Sequence, residues 1–135
     1  MNLVEGSLIE FRKIATLSRE KLKAYSVASG DPNLIHLDDN EAKKVGLPGV
    51  IAHGMLIASY TSERALQFLE EFMNDDWKLS KFTTRFKSMT APEDTISVGG
   101  SIKSVNADEI EIELKAQNQD FEIKVLAKAL FKIKD

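Results

Sequence analysis

A carboxylate and an imidazole lie five residues apart, at Asp31 and His36, in the segment G-D-P-N-L-I-H. Because helical backbone is disfavoured at a residue that precedes proline, Pro32 predicts a loop from residue 31 to residue 36. A loop can direct both side chains at one water molecule, which the carboxylate deprotonates while the imidazole orients it or returns a proton. This chemistry would add water to a small acyl substrate or remove it. From these two residues alone, the alternative is an Asx-type cap beside a surface histidine.

A second candidate lies at Gly54, where the turn-rich segment G-L-P-G-V-I-A-H-G leads into the longest helical pattern of the chain. The first N–H groups of a helix lack internal partners and carry the positive end of its dipole, so a carbonyl oxygen can dock there. The alternative is that Gly54 only permits a tight turn. We expect the preceding His53 to be a packed or capping residue without a catalytic role. His36 and His53 are the only histidines and cysteine is absent, so we predict no metal site.

The elements that must position these residues can be predicted from periodicity. A strand is expected over residues 8–14, and a helix is expected between an N-cap at Ser18 and a stop at Gly30. The side chains predicted on one face of that helix are Leu22, Tyr25, Val27 and Ala28. A short helical turn at 39–45 and a long helix at 54–73 follow.

The rest of the chain alternates as strands do, and four strands are predicted around residues 82–86, 96–102, 110–114 and 121–133. Turn residues at 106–108 and 118–120 favour antiparallel pairing, and Gly99-Gly100 predicts a bulge or a bend. The predicted fold is therefore an α+β domain in which an antiparallel sheet of about five strands wraps around one long helix. An open sheet edge would pair with a second copy, so we expect a homodimer.

Composition limits the class of protein. The 135 residues fit one domain, 1–135, since domains commonly have roughly 100–150 residues. A net charge of -3 with 29% charged residues disfavours nucleic acid or a membrane as partner, and no run approaches the roughly 20 apolar residues of a bilayer span. The N-terminus lacks the features of a secretion signal, and we expect a cytoplasmic protein.

Two linked motifs carry a family resemblance. The segments Y-S-V-A-S-G-D-P-N-L-I-H-L-D-D-N-E-A and G-V-I-A-H-G-M-L-I-A-S resemble the MaoC-like hydratases and dehydratases, the (R)-specific enoyl-thioester hydratase family. The resemblance implies a hot-dog fold, in which Asp31 and His36 are catalytic, Asn33 is the loop asparagine and Gly54 donates its N–H to an oxyanion. Ser62 falls where the family can have a serine that supports the aspartate, with Ser59 as the alternative. The family commonly has Asn-Pro-aliphatic-His, whereas here the proline stands at position 32.

The implied function is hydration of trans-2-enoyl thioesters, or the reverse dehydration of (R)-3-hydroxyacyl thioesters, with coenzyme A or acyl carrier protein as carrier and no metal or redox cofactor. Met55, Leu56 and Tyr60 are candidates for the lining of an acyl pocket, with core packing as the alternative. A row of lysines is expected on a solvated strand face, with attraction of the carrier's negative charges as the alternative: Lys124, Lys128, Lys132 and Lys134. Two other functions remain open at this point, a hot-dog acyl thioesterase and a non-catalytic acyl-binding subunit of a heteromeric dehydratase.

Overall fold

One long helix and five strands dominate the computed structural model, which describes residues 3–135. The elements in chain order are β1 (Leu8–Thr16), α1 (Arg19–Ser29), a short 3-10 turn (Leu34–His36), α2 (Asp39–Lys44), α3 (Gly54–Phe72), β2 (Trp77–Phe86), β3 (Thr95–Val105), β4 (Glu109–Gln117) and β5 (Ile123–Ile133). The predicted α+β class is confirmed, and α3 begins at the residue expected from the sequence.

The five strands form one antiparallel sheet in the order β1-β3-β4-β5-β2. Asparagine side chains stabilise both predicted hairpin turns. The Asn106 side-chain oxygen accepts hydrogen bonds from the Asp108 and Glu109 N–H groups, and Asn118 does the same for residues 120 and 122. These Asx-type contacts replace the hydrogen bonds that the backbone loses where it reverses. The prediction of antiparallel pairing is confirmed.

The sheet curves around α3, which packs against β2, β3, β4 and β5. Two irregular pairings between β1 and β3 each place one extra residue in β1, and the first lies opposite Gly99. A Cβ atom at Gly99 would lie 2.7 Å from the Phe11 Cα atom, so only glycine permits this approach of β1. The predicted bulge is confirmed, with the extra residue in the partner strand.

Local capping residues set both ends of α1. The Ser18 hydroxyl accepts a hydrogen bond from the Lys21 N–H at 3.1 Å, and Gly30 takes the left-handed conformation with φ 73°. The predicted buried face is wrong in part, because Val27 is 79% exposed and Ala28 is also exposed. Leu22 is buried as predicted, but the other buried residue of the helix is Ser26, whose hydroxyl hydrogen-bonds the loop that follows.

Two expectations for the last strand are also wrong. Phe121 lies in the turn before β5, exposed and with φ 62°, so the strand begins two residues later than its alternation suggested. Lys124 is only 4% exposed, because residues 87–89 cross this end of β5 and its ammonium donates to the Met89 carbonyl at 2.7 Å. The lysine row open to solvent is therefore limited to the exposed Lys128 and Lys134 and the half-buried Lys132. No helix within residues 3–135 is long and apolar enough to cross a bilayer.

Candidate active site

Short-range hydrogen bonds hold the loop between α1 and the 3-10 turn. The Ser26 hydroxyl donates to the Asp31 main-chain carbonyl, and the Asp31 N–H donates to the Ser29 hydroxyl at 3.3 Å. Asp31 Oδ1 accepts the Asn33 N–H at 3.2 Å, and Asn33 Oδ1 accepts the Ile35 N–H at 3.1 Å. Asn33 thus caps the turn that carries His36, and the loop backbone is held in one shape.

His36 is tied to the segment that precedes α3. Its Nδ1 atom lies 2.7 Å from the Ile51 carbonyl, and the Ile51 N–H donates to the Ile35 carbonyl at 3.1 Å. Because a carbonyl only accepts, Nδ1 must carry the proton, and Nε2 of the neutral ring is left as an acceptor. The ring is buried, so its orientation is set by packing as well as by this hydrogen bond.

Asp31 and His36 face each other across a short gap. The distance from Asp31 Oδ2 to His36 Nε2 is 3.8 Å, which is too long for a direct hydrogen bond. A polar gap of this width is the kind that a water molecule bridges. The carboxylate is partly open to solvent while the imidazole is buried, so the pair can take a proton from such a water and pass it on.

His53 lies directly against His36. The two ring centroids are 3.8 Å apart with an interplanar angle of 24°, and Tyr25 meets His53 edge-on at 4.8 Å. His53 is 2% exposed, and neither of its ring nitrogens has a hydrogen-bond partner among residues 3–135. Burial lowers the pKa of His53 and the neighbouring His36 lowers it further, whereas the Asp31 carboxylate and a weak contact with the Asp31 main-chain carbonyl act in the opposite direction. His53 is the N-cap residue of α3 but makes no side-chain capping bond.

Gly54 opens α3 beside the same cluster. Within the described chain its N–H has no acceptor, as expected at the first position of a helix. A Cβ atom at this position would lie 2.9 Å from Phe86 Cε1, so glycine allows the aromatic ring of β2 to cover the helix start. His36 and Gly54 both border a cavity of about 360 Å³, whose other walls include Ile51, Ile57, Phe86, Met89 and Val125. The imidazole of the candidate acid–base pair and a free N–H thus meet at one largely apolar cavity.

Ser62 makes no hydrogen bond to Asp31 among the described residues, and the three candidates for the acyl-pocket lining do not border the shared cavity. The Ser62 hydroxyl donates to the Ser59 carbonyl at 2.8 Å, and the serines that contact Asp31 in the described chain are Ser26 and Ser29. Leu56 and Tyr60 belong to the hydrophobic core, and burial raises the pKa of Tyr60. Met55 is 62% exposed on the first turn of α3. Among the described residues, none of these three side chains lines the cavity that His36 and Gly54 share.

Three groups with metal-binding atoms meet at the site, since atoms of Asp31, His36 and His53 lie within 4.8 Å of one another. The geometry does not suit a shared ion. Imidazole lone pairs lie in the ring plane. The two rings are stacked at 24°, so their lone pairs point along nearly parallel planes and do not converge on one ion. The Nδ1 atom of His36 is also engaged with Ile51. The predicted absence of a metal stays a prediction.

An antiparallel sheet wrapped around one helix, with an Asp–His pair and a free N–H at the helix start, defines a hot-dog domain with an acid–base site. The model of the MaoC-like domain family matches residues 4–122, and the chain belongs to this family. The fold matches that of the (R)-hydratase of A. caviae involved in PHA biosynthesis, with a TM-score of 0.79 and 20% identity over 99% of this chain and 100% of that one.

Two curated relatives match parts of the chain. A mitochondrial 3-hydroxyacyl-[acyl-carrier-protein] dehydratase of Arabidopsis thaliana is 40% identical over 48 residues, which cover 36% of this chain and 29% of the relative. The fatty acid synthase beta subunit TOXC of Cochliobolus carbonum is 33% identical over 78 residues, which cover 56% of this chain and 4% of the relative. The matched regions thus span less than a third of either relative.

Proposed function

We propose that the chain catalyses (R)-specific hydration of trans-2-enoyl thioesters, or the reverse dehydration of (R)-3-hydroxyacyl thioesters, with coenzyme A or acyl carrier protein as the carrier. One observation carries the proposal. Asp31 Oδ2 and His36 Nε2 lie 3.8 Å apart, and His36 borders the cavity into which the Gly54 helix start also opens. A hydratase needs a held water and a site for a carbonyl oxygen at one apolar cavity.

The geometry supports a simple order of events. The thioester carbonyl accepts the Gly54 N–H, and the positive end of the α3 dipole stabilises the negative charge that develops on its oxygen. This withdraws electrons from the β-carbon, where the oxygen of the water held by Asp31 and His36 forms the new C–O bond. The proton that the water loses passes to this pair and then to the α-carbon, so one water supplies both added groups. Dehydration reverses these steps.

The matched relatives support the thioester substrate, since one acts on 3-hydroxyacyl groups carried by acyl carrier protein and another is an (R)-hydratase. The apolar walls of the cavity suit an acyl chain. A thioesterase is the main rival, and it would release a free thiol, whereas hydration leaves the thioester intact. The presence of both Asp31 and His36 argues against a non-catalytic subunit.

A homodimer is part of the proposal, and β2 is the edge that supports it. This strand pairs with β5 on one side, and most of its residues are exposed within the described chain. Phe86 at its end is 52% exposed, although it borders the proposed active site. An unpaired edge with an exposed aromatic residue favours pairing with a second copy. Light scattering of the purified chain tests this, and a cytoplasmic location likewise stays a prediction.

The direct test of the proposed roles is substitution of Asp31. The Asp31→Asn variant keeps an oxygen that can accept the Asn33 N–H but loses the carboxylate that takes the proton from water. We expect hydration of crotonyl-coenzyme A to fall by about 10²–10⁴-fold while the protein remains folded. The matched control is Asp75→Asn, which removes an exposed carboxylate beyond the far end of α3 and should leave the rate unchanged. Full activity in Asp31→Asn would contradict the assignment.

A further inference from the structure

We propose that His53 is a positioning residue for His36: it forms a buried, neutral stacking surface that keeps the His36 ring aimed at Asp31. The inference rests on the proposed function for its catalytic consequence, but the protonation of the His53 ring can be measured without any reaction.

Two aromatic contacts of the His53 ring support this role. One face lies against His36 at a centroid distance of 3.8 Å, and the Tyr25 ring meets it edge-on from α1. His53 itself is the N-cap residue of α3, so its backbone is held by the helix. A ring placed in this way restricts rotation of His36 about its side-chain bonds, which the single hydrogen bond from Nδ1 to Ile51 does not do alone.

The hydrogen-bond partners of the two rings differ. His36 Nδ1 donates to the Ile51 carbonyl, and Nε2 lies 3.8 Å from the Asp31 carboxylate. Neither ring nitrogen of His53 makes a well-formed hydrogen bond among residues 3–135, although a weaker contact with the Asp31 main-chain carbonyl favours its protonated form. Leaving charged donors poorly paired in a buried site is costly, so His53 stays neutral.

Charge repulsion acts in the same direction. The titratable groups that face His53 are His36 from the 3-10 turn, Asp31 from the loop and Tyr25 from α1. Asp31 favours a positive charge on either ring, but two imidazolium rings stacked at 3.8 Å would repel each other across a buried contact. His53 therefore remains a neutral ring in the stack.

The test uses the fact that the chain contains only two histidines. In nitrogen NMR spectra of the protein labelled at histidine, we expect the His53 ring to remain neutral between about pH 5 and pH 8, where imidazoles ordinarily titrate. The His36→Gln variant assigns the signals, because only those of His53 remain in it. Protonation of His53 in this range would overturn the inference whether or not the chain is a hydratase.

Two substitutions test the stacking surface in the hydration assay. The His53→Ala variant removes the surface, and we expect kcat to fall about a hundredfold with little change in KM, because a small misplacement of a catalytic group costs that much. His53→Phe keeps an aromatic face without nitrogens and should recover most of kcat. Equal losses in both variants would show that the nitrogens matter, and an unchanged rate in His53→Ala would show that the stack does not. Either result overturns the proposal.

Discussion

The start of α3 provides a prediction whose size follows from one contact. Substitution of Gly54 by alanine adds a Cβ atom 2.9 Å from Phe86 Cε1 and 3.2 Å from Phe86 Cδ1. Carbon atoms in favourable contact are about 3.5–4.0 Å apart, so the Phe86 ring must move by about 0.6–1.1 Å. Phe86 is half-exposed on an edge strand and has room to move. The added methyl group remains beside the N–H that is proposed to bind the thioester carbonyl.

Stability and activity should therefore respond differently to Gly54→Ala. We expect the free energy of unfolding to change by less than about 1 kcal/mol, because the ring can yield and alanine favours helix over glycine. In contrast, kcat/KM should fall by about 10²–10³-fold, which is the usual effect of losing one oxyanion donor. Urea unfolding measures the first quantity, and the rate of enoyl-thioester hydration measures the second.

The Phe86→Ala variant and the double variant separate the two causes of this loss. If the methyl group itself blocks the carbonyl site, the double variant should remain below Phe86→Ala by the same factor as Gly54→Ala remains below the parent protein. If the double variant equals Phe86→Ala, the loss came only from the displaced ring. Unchanged activity in Gly54→Ala would refute the assignment of the carbonyl to this helix start.

Two further predictions concern buried and paired charges. Arg64 is fully buried, and burial lowers its pKa. Its Nη2 atom donates to the Glu10 carbonyl at 2.9 Å, whereas Nε and Nη1 have no hydrogen-bond partner in the described part of the chain. Substitution by methionine should raise the free energy of unfolding by about 1–4 kcal/mol in urea titrations, whereas a loss of stability would show that the charge is compensated. Asp39 accepts the Val50 N–H and pairs with Arg19, and these two contacts hold its pKa below the ordinary value of 3.8. The contribution of ionised Asp39 to stability is present above that value and is lost as the pH falls through the folded-state pKa. Asp39→Asn should therefore be less stable than the parent protein at pH 7, and the difference should shrink on acidification below about pH 4. A difference in stability that is constant with pH would contradict this.

Local sequence determined much of the fold. Ser18 and Gly30 end α1 through contacts within a few residues, and Asn106 and Asn118 do the same for the hairpins, so these limits could be predicted. The buried face of α1 could be predicted only in part, because Ser26 is buried and hydrogen-bonds the Asp31 carbonyl of the following loop, whereas the apolar Val27 is exposed. Lys124 likewise alternates as a solvent-facing residue and is buried only because another segment crosses it.

In the candidate site, too, contacts within a short segment could be predicted and contacts between distant segments could not. The proximity of Asp31 and His36 follows from a short loop, and Pro32 marks that loop in the sequence. The stacking of His53 on His36 requires contact between the segment before α3 and the loop that carries His36. Hydrogen bonds of Ile51 with Ile35 and His36 make this contact, and no local sequence pattern predicts them. Phe86 reaches Gly54 from a separate strand, and nothing in the sequence near either residue indicates that contact.

The central claim is that this chain adds water to an enoyl thioester through Asp31 and His36. The most direct measurement follows the absorbance of the conjugated enoyl group and the concentration of free thiol together after the purified chain is added to crotonyl-coenzyme A. We expect the absorbance to fall, no thiol to appear and the Asp31→Asn variant to be slower by about 10²–10⁴-fold. Release of thiol, or no loss of absorbance with the unaltered chain, would contradict it.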